Sequence, residues 1–264
     1  MDERFGTIDL AIGDGVARVT LERPEAMNAI NRDLARDLMD AALRCEEDPA
    51  VRAVVLSGSG RMFCAGGDLR SFAEKGDDLP HHLKEVTTYL HAAVSRFARM
   101  DAPVIAAVHG AAAGAGFSLA LACDLVLADE TARFTLGYSK VGLTPDGSST
   151  YFLPRLIGLG RAMELALTGR VLSAPEAQEW GIATRVVPEG THLSEAADLA
   201  AELAKGPTGA LGASKRLLHA GWNESLETQM EAETRTIADI ARTADAREGI
   251  SAFVQKRTPS FQDS

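Results

Sequence analysis

The sequence predicts an α/β fold with crossover connections, and three observations carry that reading. Short valine- and alanine-rich runs alternate with segments of helical periodicity at intervals of roughly 40–50 residues, the pattern of strands joined by helices. The chain has 264 residues, of which 46% are apolar and 24% charged, the balance of an ordinary globular protein with enough chain for one large domain. Beyond about Leu193 the strand signals stop and only helical periodicity remains. The expected organisation is an α/β core over residues 1–192 and a helical region over 193–264.

The elements follow in order. Ile8, Leu10 and Ile12 alternate with polar or small residues, Asp14-Gly15 supplies a turn, and Ala17, Val19 and Leu21 alternate again, so a hairpin opens the fold. Leu34, Leu38, Ala42 and Cys45 fall at helical spacing within 31–47. Val51 to Leu56 reads as a buried strand. Val86, Leu90, Val94 and Phe97 mark a helix over 81–99, and Pro103 to Val108 the next strand. Gly114 to Leu121 reads as a helix start, Asp124 to Ala128 as a strand, and the small polar residues after Asp146 as the opening of a helix through Leu156. In the last region Leu226, Met230, Ile237 and Ala241 share a helical face, and Glu231 and Arg235 form an i,i+4 pair. No low-complexity linker and no strong internal repeat is visible.

Charge and cysteine content narrow the function classes. The net charge of -10 argues against a nucleic-acid groove or an anionic membrane surface as the main partner. A local basic cluster or a helix N-terminus can still receive an anionic ligand. Cys45, Cys64 and Cys123 make an odd set without a CxxC, so neither a disulfide framework nor a zinc site is expected, and a cytoplasmic location fits. The opening residues MDERFGTIDL lack an apolar signal core, and no apolar run is long enough to span a bilayer. His81 and His82 are adjacent rather than i,i+4, which reads as surface histidines and not a metal pair.

Three segments carry candidate chemistry. Arg61 to Leu69 (RMFCAGGDL) places paired glycines after a strand, where backbone can approach a ligand closely; as a plain turn, Asp68 would cap the next helix. Val108 to Ala120 (VHGAAAGAGFSLA) exposes backbone N–H groups at a helix start, or simply packs helix on strand. It fails as a Rossmann loop, because Leu119 stands where the third glycine belongs, and as a Walker loop for want of GK[ST]. Gly116 to Ala120 resembles a nucleophile elbow but ends in alanine. Phe134 to Thr150 presents Asp146 after a proline, either as a helix cap or as a carboxylate held near Leu143 and Phe152 for use as a base.

Order and spacing of these segments resemble the crotonase (enoyl-CoA hydratase/isomerase) superfamily. Arg23-Pro24 and Asn28-Ala29 are similar to the family's N-terminal signature. The likeness continues through Leu153 to Gly158, Thr168-Gly169, Leu172 to Ala174, Trp180-Gly181 and the Lys256 to Phe261 tail, nearly the whole chain. The Gly-Leu-x-Pro-Asp context of Asp146 resembles enoyl-CoA isomerases of the phenylacetate-pathway type.

The resemblance implies a spiral of ββα units with a C-terminal helical trimerisation region, assembled as a homotrimer or homohexamer. It implies an acyl-CoA thioester substrate and no separate cofactor or metal, coenzyme A being part of the substrate. The amides of Ala65 and Ala115 would receive the thioester oxygen, where charge develops as an enolate forms. Arg23, Ala26, Cys64, Gly67, Asp68, Leu69, Phe253 and Lys256 fall where the family contacts coenzyme A, the last two reaching a neighbouring subunit. The two glutamates of a typical hydratase fall at Ser118 and Tyr138, so two-carboxylate hydration is not expected. An isomerase with Asp146 as acid/base is the expected activity. An enoyl-CoA hydratase and a non-catalytic acyl-CoA or RNA-binding relative are the alternatives.

Overall fold

The computed structural model describes residues 2–262. Its strands are β1 (Asp2–Arg4), β2 (Ile8–Gly13), β3 (Val16–Leu21), β4 (Ala53–Gly58), β5 (Val104–Val108), β6 (Ala111–Ala113), β7 (Leu125–Asp129), β8 (Arg133–Thr135), β9 (Leu172–Ser173) and β10 (Arg185–Val187). Its α-helices are α1 (Arg32–Glu47), α2 (Leu69–Ala73), α3 (Leu79–Arg99), α4 (Ala115–Leu121), α5 (Ser149–Ile157), α6 (Leu159–Thr168), α7 (Ala174–Glu179), α8 (His192–Leu203), α9 (Thr208–Gly221), α10 (Leu226–Ile240) and α11 (Ala244–Val254).

The main sheet runs β1-β2-β3-β4-β5-β7-β10. The opening pairs are antiparallel and every pair from β3 onward is parallel. The predicted hairpin is β2–β3: Ile8 faces Leu21, Gly13 faces Val16, and Asp14 and Gly15 both take positive φ, as a two-residue turn with the strands' own twist requires. The strand expected at 51–56 lies two residues later, because Asp48 to Val51 closes a turn first.

Alternation sorts the parallel strands between two cores. Val54, Leu56, Val104, Ala106 and Val108 point to the side covered by α1 and α3, where Leu34, Leu38, Leu90 and Phe97 are buried. Ala53, Val55, Ile105, Ala107 and Leu127 point to the other side, covered by Ala196, Ala200 and Ala204 of α8 and its cap. The helix α8, which opens the region set at 193–264, is thus a layer of the core. His82 also departs from expectation: it is buried, at 6% exposure, because it sits on the inward stripe of α3 with Val86 and packs edge-on to Phe72.

A second sheet, β6-β8-β9, forms beside the first. Main-sheet strands lead through short pieces of it into helices, giving the units β5–β6–α4 and β7–β8–α5. Cys64 extends it as a single parallel bridge to Ala112, after β4 and before α2. The repeat is structural, with different side chains in each unit.

Candidate active site

Asn28 fixes the first segment of the site. Fully buried, it donates from Nδ2 to the carbonyls of Ser59, Met62 and Phe63 and accepts from the Arg23 amide, pinning the loop that delivers Cys64 to Asp68. Arg23 closes the same structure by pairing with the Asp68 carboxylate at 3.0 Å and donating to the Ala29 carbonyl. Asp68 also caps α2, accepting from the Ser71 amide. Gly66 has φ near 97°, and a Cβ there would lie 2.7 Å from the Ala113 carbonyl, so glycine lets the two segments touch.

The second segment pairs with the first. Cys64 donates its amide to Ala111 and accepts at its carbonyl from Ala113, in parallel register with Ala112. Beyond that bridge Gly66 lies against Ala113 and Gly114, and Gly67 and Ala115 follow them in the two segments. The Ala65 amide is already donated to the Met27 carbonyl at 3.0 Å, which removes it as an oxyanion donor. Gly67 and Ala115 line the same pocket, and their amides have no acceptor among the described residues.

The third segment brings Asp146. Its carboxylate accepts a hydrogen bond from the Tyr138 hydroxyl at 2.5 Å. Its carbonyl accepts from Ser118 Oγ at 2.7 Å and from Ser149 Oγ at 3.0 Å. Ser118 and Tyr138, the two positions matching hydratase glutamates, are therefore tethered to Asp146. Sequence reading missed this, since nothing in their spacing marks residues 20 apart as partners; a tyrosine and a serine standing together where carboxylates were expected was the available signal. Asp146 is not the cap of α5: Ser148, at φ 77°, takes that place without a side-chain bond. Burial and the Asp146 carboxylate push the Tyr138 phenol well above its usual value, so it stays a donor.

These segments enclose a cavity of about 320 Å³, floored by Gly67, Ala115, Tyr138 and Asp146 and walled by Phe72, Val86, Leu90, Leu136 and Leu143. Leu69 lines it as well. Phe152 does not; it lines a separate cavity with His91 and His219. Cys64 turns its thiol away to the Asn28 carbonyl, and burial pushes that thiol up to about 12. Arg23 and Ala26 lie outside the pocket lining, the former held by Asp68. Phe253 (86% exposed) and Lys256 lie on the surface at the end of α11, also outside it. Among the described residues no cluster of three His, Cys, Asp or Glu is arranged to hold a metal, and no helix is long and apolar enough to cross a membrane.

Residues 11–264 match the family described as enoyl-CoA hydratase/isomerase. A probable enoyl-CoA hydratase of Rhodobacter capsulatus is 41% identical over 257 residues, covering 97% of this chain and 98% of its own. The 1,2-epoxyphenylacetyl-CoA isomerase of Escherichia coli is 41% identical over 248 residues, covering 94% and 95%. The solved structure of an enoyl-CoA hydratase from a Polaromonas species superposes with a TM-score of 0.93 at 35% identity, covering 97% of this chain and 100% of its own. A crotonase fold, paired glycine-rich segments with free amides and a match over nearly the full length converge: the chain belongs to the enoyl-CoA hydratase/isomerase family of CoA-thioester enzymes.

Proposed function

We propose that the protein is an enoyl-CoA isomerase that needs no cofactor beyond the coenzyme A of its substrate. Asp146 acts as acid and base, and the amides of Gly67 and Ala115 act as oxyanion donors. The observation that carries the reading is that Asp146 is the only carboxylate lining the pocket among the described residues. The thioester carbonyl oxygen accepts from the two amides. The free Asp146 oxygen takes a proton from the substrate α- or γ-carbon. The C–H electron pair flows into the conjugated system and places negative charge on the thioester oxygen. Each donor aimed at that charge is worth roughly 3 kcal/mol of transition-state stabilisation. The same carboxyl returns its proton to the other carbon, the double bond shifts, and no atom is gained or lost.

Hydration would need a water held and activated at the double bond. The relatives named hydratases keep that reaction as the second reading. Tyr138 and Ser118 oppose it here, as neither can replace a carboxylate at neutral pH. The test is Asp146→Asn with mass-spectrometric detection of products from a panel of enoyl-CoA thioesters. Isomerisation is expected to fall at least about 100-fold, the scale of losing a general base. Titration with acetoacetyl-CoA is expected to show unchanged binding, because the amides are untouched. A variant that retained full isomerisation, or a wild type that produced only the hydrated thioester, would overturn the proposal.

A further inference from the structure

We infer that Tyr138 is a positioning residue for this chemistry: its hydroxyl ties down one oxygen of Asp146 and leaves the other as the single point of proton exchange. The inference rests on the acid/base role proposed for Asp146 and adds a second residue to it.

The geometry is built around one loop. The Tyr138 hydroxyl donates to Asp146 Oδ1 at 2.5 Å, while Oδ2 has no protein partner among the described residues. Ser118 Oγ holds the backbone carbonyl of the same residue, and Ser149 reinforces it with both its amide, at 3.3 Å, and its hydroxyl. The next amide, of Gly147, is donated to His91 Nε2 on α3 at 3.3 Å. The backbone of Asp146 is thus fixed independently of the tyrosine, and only the carboxylate's rotation is left for Tyr138 to decide. A carboxylate with two free oxygens can rotate and present either one; one with Oδ1 occupied presents Oδ2 in a fixed direction. That direction has to serve both carbons between which the proton moves.

Tyr138 is also suited chemically. Its ring lines the pocket beside Gly114 and Leu136, so the phenol is fixed by packing as well as by its bond. A glutamate in place of Tyr138 would supply a second carboxylate and no donor at neutral pH, so the tyrosine converts a two-acid site into a one-acid site.

The test compares wild type, Tyr138→Phe and Asp146→Asn with 3-hexenoyl-CoA as substrate, recording kcat, KM and solvent deuterium exchange. In Tyr138→Phe, kcat and exchange are expected to fall by about 10- to 100-fold, the scale of a slightly misplaced catalytic group. KM should stay within about twofold, because the amides that bind the thioester are unchanged. Incorporating 4-fluorophenylalanine at position 138, which fills the place of the hydroxyl without an O–H, should give the same loss, which keeps the question answerable if the phenylalanine variant folds poorly. If Asp146→Asn abolishes exchange while both position-138 variants keep the wild-type kcat and exchange, the inference fails and the acid/base reading stands. If Asp146→Asn itself keeps full exchange, the acid/base reading fails first. A raised KM with unchanged kcat would make Tyr138 a substrate contact and overturn the positioning role.

Discussion

At the scale of single residues, the site depends on side chains that never face the substrate. Asn28 satisfies three carbonyls of the loop ahead of Gly67 and holds a left-handed backbone at φ 53°. Asn28→Ala leaves those buried groups without partners, each worth about 1–3 kcal/mol. Urea unfolding is expected to show a loss of at least about 3 kcal/mol. Asn28→Gly, which keeps the backbone freedom, should recover only a small part. The residues proposed to carry the chemistry are legible in sequence to different degrees. Asp146 stands out as a lone acid among small residues. The amide proposed as oxyanion donor, Gly67, lies two positions from the Ala65 the sequence suggests, because choosing between them needs the knowledge that Met27 already accepts from Ala65. Arg23 and Asp68 were read as ligand contacts, but pair with each other across 45 residues, a distance no local pattern reports.

At the scale of elements, strands and helices with strong periodicity were legible and the second sheet was not. β6 is three alanines, residues of low strand propensity, and it becomes a strand only because Cys64 and β8 are there to pair with it. The same dependence on partners explains α8. Its inward face is alanine, which lets the helix lie close against β4, β5 and β7. Ala200 is fully buried there, and Ala200→Leu is expected to destabilise the fold by about 1–3 kcal/mol through overpacking. Thermal unfolding would measure it, with Ala201→Leu on the exposed face of the same helix as the neutral control.

At the scale of the whole molecule, the last three helices expose a run of large apolar side chains: Leu218, Leu226, Met230, Ile237, Ile250 and Phe253. Leu226, Met230 and Ile237 fall at i, i+4 and i+11 on α10. Patches of this kind mark surfaces that pair with another chain. The assembly proposed is a homotrimer or a pair of them, using this face. Light scattering should return the mass of three or six chains for the wild type and of one chain for Ile237→Asp, whose charge would be stranded in the contact. A monomeric wild type would end the proposal. The parallel bridge of Cys64 to Ala112, which brings the two glycine-rich segments together, also has a consequence in time. Its partners are 48 residues apart in the chain, and a further 22 separate Ala112 from Phe134, which completes the ladder. Loops of that length close late in folding, after the local hairpin and helices. The pair of amides exists only once this non-local contact has formed, so a chain holding just its local hairpin and helices lacks the proposed thioester cradle however much helix it contains.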